Sequence, residues 1–269
     1  MSRVLDALAA GVRVYDLAQP LETGIPSSPN HPGFRMALIR RHGDMVRDDG
    51  GSAANELIVT GGHVGTHVDA LAHVSHDGLL HGGANAAEAQ RGGRLSVHGI
   101  DAMEPVVARG VLLDVAGAAG TDVLPGGHPI GAHELAAAEA RAGVTLHGGD
   151  VALVRTGWAR NFGDATAFLG HEGGVPGPTE EGARWLANRG VRATGSDTTA
   201  YEHIPAGAGH RLLPVHRLLL VEQGIHIIEM LDLEPLAKVG VHEFFFVLAP
   251  LRITGGTGSP VRPLALVDA

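Results

Sequence analysis

The 269-residue sequence contains no cysteine, which excludes disulfides, thiolate metal sites and cysteine nucleophiles together. Any metal must therefore rest on histidine and carboxylates. Long apolar runs are missing too: the longest, such as Phe244 to Pro250, fall far short of the ~20 residues that cross a bilayer, so no membrane partner is expected. The opening stretch interrupts its apolar residues with Asp6 and Arg13, unlike a secretory leader, and a cytoplasmic protein is expected. No Lys/Arg cluster accompanies the net charge of −9, which removes the electrostatic footprint of a nucleic-acid or anionic-lipid binder. The expected partner is a small molecule. Internal repeats and low-complexity linkers are absent as well, and Gly and Pro are spread evenly. One domain over residues 1–269 is the expectation.

What the chain has in excess is histidine, 17 residues, and glycine, 40. Histidine is the commonest metal ligand and glycine suits tight turns, so the composition leans toward a metalloenzyme. Short β-branched or apolar runs predict strands over Val12 to Leu17, Arg35 to Arg40, Leu57 to Thr60, Val111 to Val115, Val151 to Thr156, Ile225 to Leu231 and Glu243 to Leu248. The consecutive Phe244, Phe245 and Phe246 fit a strand buried on both faces. Helices are predicted over Thr179 to Asn188, with Thr179 as N-cap and Gly190 past the end, over Ala132 to Ala142 and over Pro214 to Glu222. In the second half these alternate with strands as in βαβ units. A mixed α/β fold follows, with a mixed sheet core and helices packed outside.

The chemistry concentrates in Gly61 to His76, GGHVGTHVDALAHVSH. In an extended chain His63, Gly65, His67 and Asp69 share one face, because strand side chains alternate with period two. A helix would also pair His63 with His67, but Gly65 and the β-branched neighbours disfavour it. Two imidazoles and one carboxylate with open positions are the donor set of a catalytic transition-metal site, and Gly65 leaves room for a ligand to approach. A chain with 17 histidines will place two of them four apart by chance. Asp69 in phase, and His73 four residues on, argue against chance, because the face would otherwise be oddly polar in an apolar context. Elsewhere, Glu229 ends an apolar strand, where a buried carboxylate needs a partner. His216 alone reads as a helix-surface residue. His76 and His81 read as solvated loop residues, Thr156 and Trp158 as packing and turn residues. Asp197 and Glu202 lie within reach of a site mouth, although Asp197 reads more simply as capping its own turn. The C-terminal GGTGSP lacks a Lys and a following helix and is not read as a phosphate loop.

The segment His63-Val-Gly-Thr-His67-Val-Asp69-Ala-Leu-Ala-His73 resembles the His-x-Gly-Thr-His-x-Asp-x-x-x-His signature of the metal-dependent cyclase family, which includes bacterial kynurenine formamidases and isatin hydrolases. Pro214 to Leu231 and Leu248 to Leu266 are similar to that family's C-terminal half. The resemblance implies a β/β/α swivelling fold, a homodimer, and a divalent ion, Mn2+ or Zn2+, held by His63, His67 and Asp69. It also implies His73 as the acid/base residue, and His216 and Glu229 as further site residues. Glu229 is expected on the metal side and His216 among the catalytic groups, either orienting substrate or completing a second ion site through a bridging Asp69. One ion is the expectation. Formamidase members commonly carry Pro two residues after the motif Asp, where this chain has Leu71, which favours the isatin-hydrolase-like branch. The expected activity is metal-dependent hydrolysis of the C–N bond of a small cyclic amide, an isatin-type lactam, with N-formylkynurenine as the alternative substrate. Dehydration or cyclisation with the same groups, and a silent metal-binding protein on the same scaffold, are the other readings.

Overall fold

The computed structural model describes residues 3–269. Its principal elements, in chain order, begin with helix α1 (Arg3–Ala10), strand β1 (Val12–Asp16), and a hairpin of β2 (Arg35–Arg40) and β3 (Asn55–Val59). Next come the short β4 (His67–Asp69), β5 (Val106–Asp114), α2 (Ala132–Ala142), β6 (Val151–Arg155), α3 (Glu180–Asn188) and β7 (Ala193–Ser196). Helix α4 (Pro214–His216), continued as a π-helix over Arg217–Gln223, leads into β8 (His226–Glu229), β9 (Glu243–Leu248), β10 (Gly258–Pro260) and β11 (Leu264–Asp268). Nine strands form one mixed sheet in the order β1-β11-β9-β5-β6-β7-β8-β4-β10. The four central strands, β5 to β8, are parallel and the flanking ones antiparallel. This is the mixed α/β architecture expected.

The central strands are continuous apolar runs because both of their faces are covered. Val111, Leu113, Ala152, Val154 and Ile227 face Leu135, Ala138, Ala183, Leu186 and Leu218 to Leu220 of the helical layer. Leu112, Val151, Leu153, Ala193 and Ile228 face a second core with Leu17, Val68, Phe244, Phe246 and Leu248. Helix α3 begins where expected, with the Thr179 hydroxyl accepting from Gly182 N–H. Helix α2 is started by Glu134, whose carboxylate accepts the Gly131 N–H at 2.9 Å.

Several elements depart from expectation. The residues from Pro214 onward are helical, but all after His216 take the wider π form, a departure that recurs at functional sites. In β9 Phe244, Phe246 and Leu248 are buried whereas Phe245 is 39% exposed, so one face of that strand is open rather than covered. The strands expected over Arg35–Arg40 and Leu57–Thr60 form, the second spanning Asn55–Val59, and pair as a hairpin, yet every residue of both is exposed. The C-terminal strands β10 and β11 and helix α1 carried no recognised sequence signal.

Asp197 does more than cap its own turn. It is fully buried and accepts the Thr156 N–H at 2.9 Å, the Thr156 hydroxyl at 2.7 Å and the Gly157 N–H at 2.8 Å, so it ties the chain after β7 to the end of β6. Burial pushes its carboxyl up to about 6, although these donors oppose the rise. A carboxyl whose folded pKa lies above its unfolded value favours the folded state at low pH. That contribution is lost as pH climbs from about 4 to about 6, and amounts to roughly 3 kcal/mol. Urea unfolding at a series of pH values is expected to show this decline in the parent and a flatter profile in Asp197→Asn.

Candidate metal centre

The site is built on the antiparallel pair β4 and β8, where Glu229 lies directly opposite His67. Directly opposed residues share a face, so the register alone brings an imidazole and a carboxylate together. His67 Nε2 stands 3.4 Å from Glu229 Oε2. Asp69, two residues along β4, falls on the same face, while Val68 between them enters the core. The extended reading of the motif thus holds for His67 to Asp69 only. His63 lies in a turn before the strand, and Gly65 has a left-handed φ of +64°, a conformation that an L side chain adopts at a cost. A Cβ on Gly65 would also stand 2.4 Å from Leu21 Cδ2. The glycine is required by the turn and its packing, not by ligand access.

That turn swings His63 back onto the strand. Its Nδ1 lies 2.8 Å from Asp69 Oδ1 and its Nε2 2.9 Å from Thr257 Oγ1, just before β10. His67 donates from Nδ1 to the Gly65 carbonyl at 2.7 Å, which fixes the tautomer and leaves the Nε2 lone pair facing Asp69 and Glu229. Asp69 is 1% exposed and its Oδ2 has no hydrogen-bond partner among the described residues. Leaving a carboxylate oxygen buried and unpaired is expensive, so the pocket is built for an electrophile at that position. One ligand-type atom from each of His63, His67 and Asp69 lies within 4.8 Å of the others, and the same holds for Asp69, His216 and Glu229. The donors fit a divalent cation, and Asp69 belongs to both triads.

His216 enters from the end of α4. Its Nε2 is 3.1 Å from Glu229 Oε1 and 3.7 Å from Asp69 Oδ2, and its Nδ1 is 2.6 Å from Glu202 Oε1. Glu202, 1% exposed, also accepts the N–H groups of Val215 and His216 at 3.1 and 3.0 Å. These are donors at a helix start that no N-cap side chain satisfies. Glu202 therefore anchors the helix and orients the imidazole at once. Burial opposes a charge on His216, but its hydrogen bonds to Glu202 and Glu229 hold its pKa well above the ordinary value. Burial also works against the Asp69 carboxylate, yet the imidazoles around it and the hydrogen bond from His63 hold its carboxyl below the usual range.

His73 stacks on His63 with ring centroids 3.9 Å apart, and burial pushes it down to about 3. On another side His31 stacks on His63 at 5.1 Å. The structure thus brings together His63, His67, Asp69, His73, His216 and Glu229, all six residues singled out in the sequence. Sequence reasoning missed His31 and Thr257, and left Glu202 as a rim candidate when it is buried behind His216. The strand ending apolar-then-Glu that exposed Glu229 had a counterpart at Glu202: an acidic residue ahead of a Pro-started helix without a capping side chain. His76 is exposed, as expected, whereas His81 is partly buried and bonded to the Val221 carbonyl at 2.9 Å. Trp158 packs in the cluster around Phe168 and Ile204.

A protein named isatin hydrolase from Roseibium aggregatum is 34% identical over 122 residues, 44% of this chain and 45% of that one. The matched stretch thus spans less than half of that relative. A kynurenine formamidase from Bacillus cytotoxicus is 25% identical over 252 residues, covering 93% of this chain and 95% of its own. The solved structure of isatin hydrolase A from Ralstonia solanacearum superposes with a TM-score of 0.77 at 29% identity, over 100% of this chain and 98% of that one. Residues 15–203, more than two thirds of the chain and inclusive of the whole motif from His63 to His73, match the Cyclase family, and the chain belongs to it.

Proposed function

We propose that the protein is a metal-dependent hydrolase that opens the C–N bond of a small cyclic amide, an isatin-type lactam. The observation that carries the reading is Asp69, buried with one oxygen unpartnered amid the imidazoles of His63, His67, His73 and His216. Similarity to proteins named isatin hydrolase supports the substrate class. We assign His63, His67 and Asp69 as the ligands, and Mn2+ or Zn2+ as the ion, since the donor set suits either. A divalent ion bound there supplies Lewis acidity, polarising an amide carbonyl and bringing the pKa of water from 15.7 toward ~7.

The chain's own groups do the rest. The His67 tautomer, fixed by Gly65 O, keeps a lone pair on Nε2. His73, neutral because burial holds its pKa low, is placed to take a proton from water and hand it to the leaving nitrogen as the C–O bond forms and the C–N bond breaks. His216 has both ring nitrogens against carboxylates, and an imidazole that donates from both has no free lone pair. This supports one ion, with Glu229 on its margin accepting from His216 or from the substrate N–H. The triad Asp69, His216 and Glu229 would hold a second ion if His216 gave up that proton. Deformylation of N-formylkynurenine is the second reading, favoured by the relative of that name that aligns over nearly the whole chain. A cytoplasmic homodimer is the assembly we propose. No helix among the described residues is long and apolar enough to cross a membrane, and the open apolar faces of β2–β3 and Phe245 support self-association.

Asp69→Asn is expected to lower metal content and abolish turnover while the far-UV circular dichroism is unchanged, because a neutral amide is a poor ligand for a divalent ion. Near-normal turnover at saturating metal would remove Asp69 from the ligand set.

His73→Ala is expected to keep its bound metal but to lose roughly 10²–10⁴ in rate, the contribution of a positioned proton-transfer group. His67→Ala serves as the contrast, losing metal and rate together. Equal metal loss in the two variants, read by elemental analysis, would place His73 in the ligand set instead.

For substrate, kcat/KM on one metal-loaded preparation is expected to be higher for isatin than for N-formylkynurenine. The reverse order would establish the formamidase reading.

A further inference from the structure

His63 is the one assigned ligand that lies outside β4, in the turn before it, so its ring is aimed by contacts rather than by strand register. His73 stacks on it with centroids 3.9 Å apart, and His31 at 5.1 Å. Asp69 Oδ1 meets Nδ1 at 2.8 Å, and Thr257 Oγ1 meets Nε2 at 2.9 Å. Gly258 closes the remaining edge: a Cβ there would stand 2.5 Å from Cε1, 2.9 Å from Nε2 and 3.0 Å from Nδ1. The backbone of Gly258 is not left-handed, so what this glycine supplies is room for the imidazole rather than freedom of the chain.

The two nitrogens of that ring face different chemistry. Nδ1 lies on the side of the donor cluster, against the same Asp69 Oδ1 that stands 3.7 Å from His67 Nε2. Nε2 meets the hydroxyl of Thr257, the residue before β10, whose own carbonyl accepts the Ala70 N–H at 2.9 Å and so ties it to the end of β4. A neutral imidazole carries one proton, and the nitrogen that gives its lone pair to an ion leaves that proton on the other. A proton on Nε2 finds an acceptor in Thr257 Oγ1 and frees the Nδ1 lone pair for the cluster. A proton on Nδ1 goes to Asp69 instead and turns the lone pair away from it. One tautomer is a ligand and the other is not, and in the ligand form Thr257 accepts.

Resting on the metal-dependent reading above, we infer that Thr257 is a positioning residue: its hydroxyl accepts the Nε2 proton of His63 and thereby commits Nδ1 to the ion, while Gly258 makes room for the ring. The two imidazoles of the motif then present opposite nitrogens. His67 offers Nε2 because its Nδ1 donates to the Gly65 carbonyl two residues away, and His63 offers Nδ1 because its Nε2 donates to a hydroxyl 194 residues along the chain. A carbonyl only accepts, whereas a hydroxyl also donates. His63 is therefore the less firmly committed of the two, and its tautomer is the one that a substitution shifts.

The test reads the metal and the tautomer apart from turnover. The full chain, labelled with heavy nitrogen in its histidines, is loaded with Zn2+ and its imidazoles are observed by long-range proton–nitrogen NMR, His63 being assigned through the carbons of its own side chain. A proton on Nε2 and none on Nδ1 is expected. The Zn2+ dissociation constant, measured by competition with a chromophoric chelator, should rise about 10–100-fold in Thr257→Val, the usual cost of losing a group that orients a ligand, and return toward the parent value in Thr257→Ser. Gly258→Ala should weaken Zn2+ as well, by displacing the ring. A proton on His63 Nδ1 in the loaded parent overturns the inference, whether or not any variant folds. Parent-like Zn2+ binding in Thr257→Val, or binding in Thr257→Ser as weak as in Thr257→Val, overturns it too. If Zn2+ binding depends on Thr257 in this way but isatin is not opened, the inference stands and the hydrolase reading falls. If isatin is opened and Thr257→Val binds Zn2+ like the parent, the hydrolase reading stands and the inference falls. A parent that takes up no Zn2+ overturns both.

Discussion

An acidic side chain with nowhere to put one of its oxygens organises this molecule. Asp69 is buried at the end of a short strand, its Oδ1 bonded to His63 and its Oδ2 unpaired. A desolvated carboxylate oxygen is tolerated only where a cation or a proton meets it. The chain surrounds it with imidazoles on β4, in the turn before it and at the end of α4, and most of them are held in place by a second group. Thr257 fixes His63, the Gly65 carbonyl fixes His67, and Glu202 fixes His216. Partners of this kind set tautomer and ring orientation, which is what gives a donor cluster its affinity.

The sheet topology explains why these residues meet. Strand β8 is the last of the parallel set, and β4 adds to it antiparallel with His67 opposite Glu229. Residues separated by more than 150 positions thereby share one face without any loop reaching across. The same edge receives β10, whose Gly258 lies against the His63 ring so closely that a Cβ there would stand 2.5 Å from Cε1. Rigid strands supply the precision of the donor cluster.

Legibility followed the range of the interactions. Local periodicity announced the buried parallel strands, where Val111 to Leu113 and Val151 to Val154 could be little else, and the capped helix from Thr179. The motif was legible because three ligand-type residues sit within seven positions. Its geometry was misread, since a period-two reading gives no warning that Gly65 takes a positive φ and folds His63 back. Strands β10 and β11 were illegible because Gly258–Pro260 is short and glycine-led, and its pairing with β4 is a long-range choice made by register. His31 and Thr257 carried no signal at all. Each acts through a contact with His63 that only the closed fold creates.

The end of α4 shows how one residue serves folding and chemistry together. Pro214 starts a helix whose N-terminal donors have no capping side chain of their own, and Glu202 fills that role from fourteen residues upstream of His216. Because the same carboxylate accepts the imidazole Nδ1 proton, the energy that anchors the helix also aims His216 Nε2 at Glu229 and Asp69. The π-helical turns that follow, Arg217–Gln223, shift the register of the helix after His216, so Leu218 to Leu220 still pack into the helical core while the imidazole faces the other way, into the site. A regular α-helix carries each residue about 100° round from the last, and the wider turn relaxes that constraint where core packing and site geometry make different demands. The irregularity is therefore placed where the sequence must satisfy a buried ion network and an apolar layer within one short segment.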